Sequence, residues 1–221
     1  MIKKNIQALL EEIPENVQLV AVSKTKPNQD ILEALTANQL HFGENKVQEL
    51  EQKFKDLSKE IKWHMIGHLQ TNKVKYIVDF VHLIHGVDKP KLLKEINKRA
   101  ENIKKKVDVL LQIHIAKEET KFGFSEEEIH EFLLEDFHKT YPWINLKGLM
   151  GMATYTENQK QVAKEFNLLR KIFDQYNNKI EGFDILSMGM TNDYKIAINE
   201  GSTMIRVGSG IFGERNYNNG N

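Results

Sequence analysis

The sequence predicts an α/β fold, a single (β/α)8 TIM barrel, and three observations predict it. Eight short apolar runs alternate with segments of helical spacing. The runs are near-continuously apolar, as strands covered by protein on both faces must be, and strict alternation implies parallel pairing through crossovers. The length, 221 residues, suits one compact barrel of about 200–250 residues rather than two smaller units, so residues 1–221 are expected to form one domain. The rival architecture, a doubly wound open sheet, normally carries a glycine-rich turn after its first strand, and SKTKP at 23–27 is not such a turn.

The chain opens with MIKKNIQALLEEI, where Ile2, Ile6, Leu9, Leu10 and Ile13 recur at helical spacing, the pattern of an amphipathic helix lying on the domain. The first strand is expected over 18–24 (QLVAVSK), followed by strands at 39–44, 62–67, 80–87, 107–115, 145–154, 183–190 and 203–209. Helical spacing fills the gaps at 28–37, 47–57, 72–78, 90–102, 125–138, 157–176 and 193–199. Start signals support several of these: Asn28 ahead of Asp30, Asn72 after Thr71, and Ser125 with Glu128 three positions on, the capping-box spacing.

Composition excludes several classes of function. Lysine plus arginine equals aspartate plus glutamate at 31 each, so no net charge draws polyanions and nothing argues for nucleic acid. The one dense basic run, Lys104 to Lys106, reads as a solvated helix end. With no cysteine, a disulfide framework, a thiolate metal site and cysteine catalysis are all excluded. No apolar run matches a secretory signal or spans a bilayer, so the expectation is a cytoplasmic protein with no membrane partner.

A barrel of this kind does its chemistry at the carboxyl ends of its strands. Polar and small residues crowd those ends: Ser23 and Lys24; Gly43, Glu44 and Asn45; Gly67 and His68; His85 and Asp88; Ser187, Gly189 and Thr191; Arg206, Gly208 and Ser209. Lys24 is the most informative of them. An amine at the end of a buried strand is costly to desolvate, which lowers its pKa and leaves neutral amine to attack an aldehyde, the condition for a Schiff base. The alternative is that Lys24 marks where the strand meets water.

The last two strand ends, SMGMTND and RVGSGIFGER, join glycines to hydroxyls just before helix starts. Backbone N–H groups at Gly189, Gly208, Gly210 and Gly213 are open to an anion, with Ser187, Thr191 and Ser209 as further donors, and the same glycines also suit tight turns. Arg206 lies between Ile205 and Val207 and points to the opposite face of its strand, into the barrel. There it must be paired, either with a carboxylate such as Glu44 or Asp88 or with an acceptor such as the ring nitrogen of an aromatic cofactor.

No metal is expected. His64 and His68 flank a strand end and need not share a direction, while His82 and His85 fall on opposite strand faces. No GxSxG elbow supports a serine hydrolase.

Taken in order, VAVSKTKP, HFGENKVQE, WHMIGHLQTNK, KGLMGMA and LSMGMTNDYKIAINEGSTMIRVGSGIFGER resemble the pyridoxal phosphate homeostasis proteins, the YggS/PROSC family, almost end to end. The resemblance implies a monomeric barrel similar to the amino-terminal domain of alanine racemase, holding pyridoxal 5'-phosphate (PLP) as a Schiff base. By position, Lys24 is similar to the cofactor lysine, Arg206 to the arginine facing the pyridine nitrogen, and Asn45 to the asparagine near the ring. Ser187, Gly208 and Ser209 are similar to the phosphate-binding residues, with Met190 and Thr191 in the same loops. One departure is Lys46, where many members carry a tyrosine after GEN.

The function implied is a non-catalytic one, storage and delivery of vitamin B6 with effects on amino and keto acid balance, and PLP-dependent apo-enzymes as partners. An arginine at the ring nitrogen makes PLP a weaker electron sink, which disfavours carbanion chemistry. The chain ends soon after its eighth strand, so no second domain is expected to supply the opposing base of a racemase. The alternatives are a slow amino acid racemase using Lys24 with His85 or Tyr155, and a Schiff-base aldolase acting on a phosphorylated sugar.

Overall fold

A computed structural model describes residues 1–118, 122–133 and 137–214. Eight parallel strands close into a barrel in sequence order. They are β1 (Gln18–Val22), β2 (His41–Glu44), β3 (Lys62–Met65), β4 (Leu83–Val87), β5 (Val107–Ile113), β6 (Ile144–Gly151), β7 (Ile185–Met190) and β8 (Met204–Val207). Closure is made by β8 pairing with β1, where Arg206 lies opposite Val20. All eight expected strands are present; β2, β4 and β7 end where their apolar runs do, and the other five end two or three residues earlier.

The helices are α1 (Ile2–Glu12), α2 (Asn28–Leu35), α3 (Val47–Asp56), α4 (Pro90–Asn102), α5 (Glu126–Leu133), α6 (Phe137–Thr140), α7 (Gln159–Tyr176), α8 (Tyr194–Asn199) and α9 (Ser209–Phe212). Between β3 and β4 the expected α-helix is a 3-10 helix, Thr71–Tyr76, capped by neither Asn72 nor any other side chain. Asn28 does not cap α2; its amide donates to Asp56 Oδ2 instead. The capping box does form: Ser125 N donates to Glu128 Oε2 at 2.8 Å and Glu128 N to Ser125 Oγ at 3.1 Å. Positions 134–136 of the segment expected as one helix over 125–138, and the tail 215–221, lie outside the described residues.

Two apolar layers hold this architecture. The larger lies between sheet and helices; the smaller fills the barrel interior with Val20, Leu83, Leu110, Met150 and Met204. α1 adds Ile2, Ile6, Leu9 and Ile13 to the outer layer, while Leu10 stays 47% exposed, contrary to the sequence reading. Each fully buried aliphatic of this kind contributes about 1.5–3 kcal/mol as an upper estimate. The interior layer lies part-way along the barrel, so the strands' carboxyl ends remain available for polar groups.

Candidate functional site

At the carboxyl ends of the strands lies a cavity of about 1070 Å³, lined among others by Lys24, Asn45, Met190, Thr191, Arg206, Gly208 and Ser209. Seven of the eight residues expected from sequence therefore share one cavity. The eighth, Ser187, is fully buried and does not reach the cavity wall. Its hydroxyl instead accepts from Arg206 Nη1 at 2.6 Å, so it supports the arginine from below.

Lys24 is half-buried, two residues beyond β1, and its neighbours fix the loop that carries it. The following residue, Thr25, is left-handed (φ 64°), and its N–H donates to Glu49 Oε1 at 2.6 Å. Beneath the loop, the buried Lys53 of α3 donates to the Ser23 carbonyl and to Glu44 Oε1, both at 2.8 Å, and to Glu49 Oε1 at 2.7 Å. Ser23 Oγ donates to the same Glu44 oxygen at 2.6 Å. Burial pushes the Glu44 carboxyl up to about 6, against the downward pull of Lys53. The sequence reading missed Lys53, whose i, i+4 spacing from Glu49 was the only available signal.

A second lysine, Lys26, also lines the cavity, but its amine donates to the carbonyls of Phe212 (3.0 Å), Gly213 and Glu214 (both 3.3 Å). It thus serves as a cation at the carboxyl end of α9.

Arg206 is 3% exposed and points inward, as the strand alternation requires. Neither carboxylate considered for it is its partner: Glu44 is held by Lys53, and Asp88 accepts from His68 Nδ1 at 3.0 Å. Arg206 Nη1 donates to the Ser187 carbonyl at 2.9 Å as well as to its hydroxyl, and Nη2 donates to the Gly151 carbonyl at 3.1 Å. Those bonds use three of the five N–H donors of a guanidinium. Burial lowers its pKa to about 10, so the group stays protonated at neutral pH.

The two glycine loops meet at the cavity wall. Gly208 N donates to Thr191 Oγ1 at 3.3 Å, tying the end of β8 to the loop after β7. Gly189 has φ +96°, and a Cβ there would sit 2.6 Å from the Ala197 Cβ of α8, so a side chain is excluded by both backbone and packing. Asn45 is held from below, because a Cβ on Gly67 would lie 2.5 Å from the Asn45 carbonyl oxygen. Lys46 is exposed at the start of α3 and does not line the cavity, so the departure there leaves the wall untouched.

His85, considered as a second base, is fully buried and bonded to His64 and Ser187, away from the cavity wall. Tyr155 does line the cavity, 85% exposed at its mouth. Wall residues the sequence reading did not assign include Gln112, Thr154 and Phe122, the last stacked on His68 with ring centroids 4.2 Å apart.

An eight-stranded parallel barrel with a lysine, an arginine and two glycine loops around one carboxyl-end cavity defines a barrel of the alanine racemase amino-terminal class. The model of the alanine racemase N-terminal domain family matches residues 1–216. A solved alanine racemase of Clostridium difficile superposes with a TM-score of 0.76 at 14% identity, covering 98% of this chain and 57% of that one, a likeness of fold alone. Closer relatives narrow the class. A pyridoxal phosphate homeostasis protein of Aquifex aeolicus is 39% identical over 202 residues, 90% of this chain and 88% of that protein. The PipY protein of Synechococcus elongatus, solved with PLP bound, superposes with a TM-score of 0.86 at 30% identity, covering 96% of this chain and all (100%) of that one. The chain belongs to the pyridoxal phosphate homeostasis protein family. Among the described residues no helix is long and apolar enough to cross a membrane.

Proposed function

We propose that the chain, as one cofactor-binding barrel over 1–221, is a cytoplasmic, monomeric carrier and regulator of PLP that supplies PLP-dependent apo-enzymes rather than a catalyst. When bound, PLP supplies an aldehyde that a lysine amine takes up and releases reversibly as an imine. Lys24 is the amine we assign to it. Lys26 is committed to three carbonyls at the end of α9. Arg206 would hold the ring nitrogen through one of its remaining N–H donors, and because a guanidinium cannot take up a proton it would keep that nitrogen an acceptor. The phosphate falls to the hydroxyls of Thr191 and Ser209, in the loops that Met190 and Gly208 shape through their own bonds to Asp193 and Thr191, with Asn45 beside the ring.

One observation carries this reading: a buried arginine that forms no ion pair within 4.0 Å among the described residues, with Asp193 acting on it only at longer range, lines the same cavity as Lys24 and the glycine loops. The relative PipY, solved with PLP bound, supports it. A non-catalytic role is favoured over racemisation because His85 is buried off the cavity and is committed to Ser187 and His64.

The test is borohydride reduction of PLP-loaded protein followed by peptide mass measurement, beside a visible spectrum of Lys24→Ala. A pyridoxyl group on Lys24, and loss of the imine band in the variant, support the assignment. An unchanged band in Lys24→Ala defeats it. Deuterium uptake at the α-carbon of an amino acid at enzyme-like rates would instead establish the racemase.

A further inference from the structure

The opposite, amino-terminal mouth of the barrel holds a second group of side chains that the cavity does not use. His41 opens β2, His82 immediately precedes β4, and His64 lies two residues into β3, so the three rings converge from adjacent strands. Their ring centroids form a near-equilateral triangle: 5.2 Å from His41 to His64, 5.2 Å from His64 to His82 and 5.4 Å from His41 to His82. One nitrogen of each lies within 4.8 Å of the others. Neither histidine pair weighed from sequence spacing is this one, because the trio exists only through the register of three strands.

We infer that His41, His64 and His82 form a site for a divalent transition metal ion, bound by three imidazoles at the barrel mouth opposite the cavity. The ligand type selects the ion: nitrogen donors without carboxylate or thiolate suit zinc, cobalt, nickel or copper, and not magnesium or calcium. One pair is close to what such an ion needs, and the trio as a whole, with its ligand nitrogens within 4.8 Å of one another, must contract to bind it. With metal–nitrogen bonds of about 2.0–2.1 Å, two ligands of a tetrahedral ion lie roughly 3.4 Å apart. His41 Nδ1 and His64 Nε2 are 2.9 Å apart and share one proton, so the ion takes the place of that proton with an opening of a few tenths of an ångström. His41 and His82 are less buried than His64, so the fourth ligand of a bound ion would come from solvent.

His64 is also held as metal ligands are held. Its other nitrogen, Nδ1, lies 2.9 Å from His85 Nε2, an outer partner that fixes the ring orientation. Lys62 and Lys105 near the mouth oppose a cation, whereas Asp108 favours one.

Binding has a consequence inside the barrel. An ion on His64 Nε2 places that ring's proton on Nδ1, where it donates to His85 Nε2, and the His85 proton then moves to Nδ1 and donates to Ser187 Oγ. No ring gains or loses a proton overall, but the hydroxyl beneath Arg206 then accepts from both Arg206 and His85, and its own proton loses the acceptor that His85 had provided.

The experiment uses untagged full-length protein stripped with chelator and titrated with zinc by calorimetry and with cobalt by visible absorption. One saturable equivalent is expected, with tetrahedral-type cobalt bands. Loss of an outer partner alone costs about 10–100-fold in metal affinity, so His41→Gln or His82→Gln should each weaken binding by more than about tenfold. Both positions lie at the rim, away from the PLP cavity, and unchanged circular dichroism and PLP absorbance in the variants show that the fold stands. Absence of saturable binding overturns the proposal, as does undiminished binding in the double variant, which would place the ion elsewhere, for example at His68 and Asp88. In 15N spectra zinc should move the His85 proton from Nε2 to Nδ1; binding without that change leaves the site and removes the link to Ser187.

Discussion

Arg206 donates to Ser187 through one nitrogen, at 2.6 Å to the hydroxyl and 2.9 Å to the carbonyl, and this pair anchors a chain of histidines below it. A guanidinium only donates, so the Ser187 hydroxyl accepts from it, and the buried hydroxyl proton is satisfied when it is donated to His85 Nδ1, 3.0 Å away. His85 therefore carries its proton on Nε2 and donates to His64 Nδ1, and His64 donates in turn to His41 Nδ1. In metal-free protein, 15N spectra should find His64 and His85 neutral and protonated at Nε2. Ser187→Ala removes the anchor of this chain and leaves buried donors unmet, so unfolding should become easier by about 1–3 kcal/mol, read as a lower urea midpoint.

The loop of Lys24 depends on a residue far from the cavity in sequence. Lys53 spans the Ser23 carbonyl and the Glu44 and Glu49 carboxylates, and it is buried with Glu44. Lys53→Met should cost about 3–5 kcal/mol, because it leaves the Glu44 charge uncompensated in the interior. Glu44→Gln in the same chain should recover part of that loss. Additive losses in the double variant would show that the two side chains do not interact.

The two lysines on the cavity wall should behave differently. Lys26→Ala removes a cation from the end of α9 and should lower stability by about 0.3–1 kcal/mol while leaving the imine absorbance of PLP-loaded protein intact. Loss of the absorbance in this variant, with retention in Lys24→Ala, would reassign the attachment point.

How far the sequence disclosed the molecule follows from the range of the interactions involved. Strand positions were legible because burial on both faces leaves a local apolar signature, as in LVAV at 19–22. The same holds for the Ser125–Glu128 cap, which is closed within four residues. Seven cavity residues were legible because strand ends and glycine loops mark themselves. Ser187 was misplaced: its position at a strand end is right, but alternation alone does not reveal that its neighbours below are histidines. The His41, His64 and His82 triangle and the Lys53 network depend on register and on helix-to-strand contacts, which leave no periodic trace.

Acid should destabilise the metal-free protein earlier than the carboxylates alone would cause. Burial holds His64 and His85 well below 6.5, with neighbouring histidines and, for His85, Arg206 pushing the same way; burial, His82 and Lys62 lower His41 to about 4. A histidine depressed in the folded state contributes stability that is complete above its unfolded value and is lost as pH falls below about 6.5 toward the folded one. Glu44 works in the opposite sense: its raised carboxyl stabilises the fold as pH falls from about 6 toward 4.5. Each fully buried histidine contributes a slope of about 1.4 kcal/mol per pH unit, so His64 and His85 together outweigh the single glutamate, with a smaller addition from the more exposed His41. Urea midpoints measured with chelator present should therefore fall from pH 6.5 to 5, and Glu44→Gln should steepen the fall. A flat profile across that interval would mean that the buried imidazoles are not held neutral by the fold.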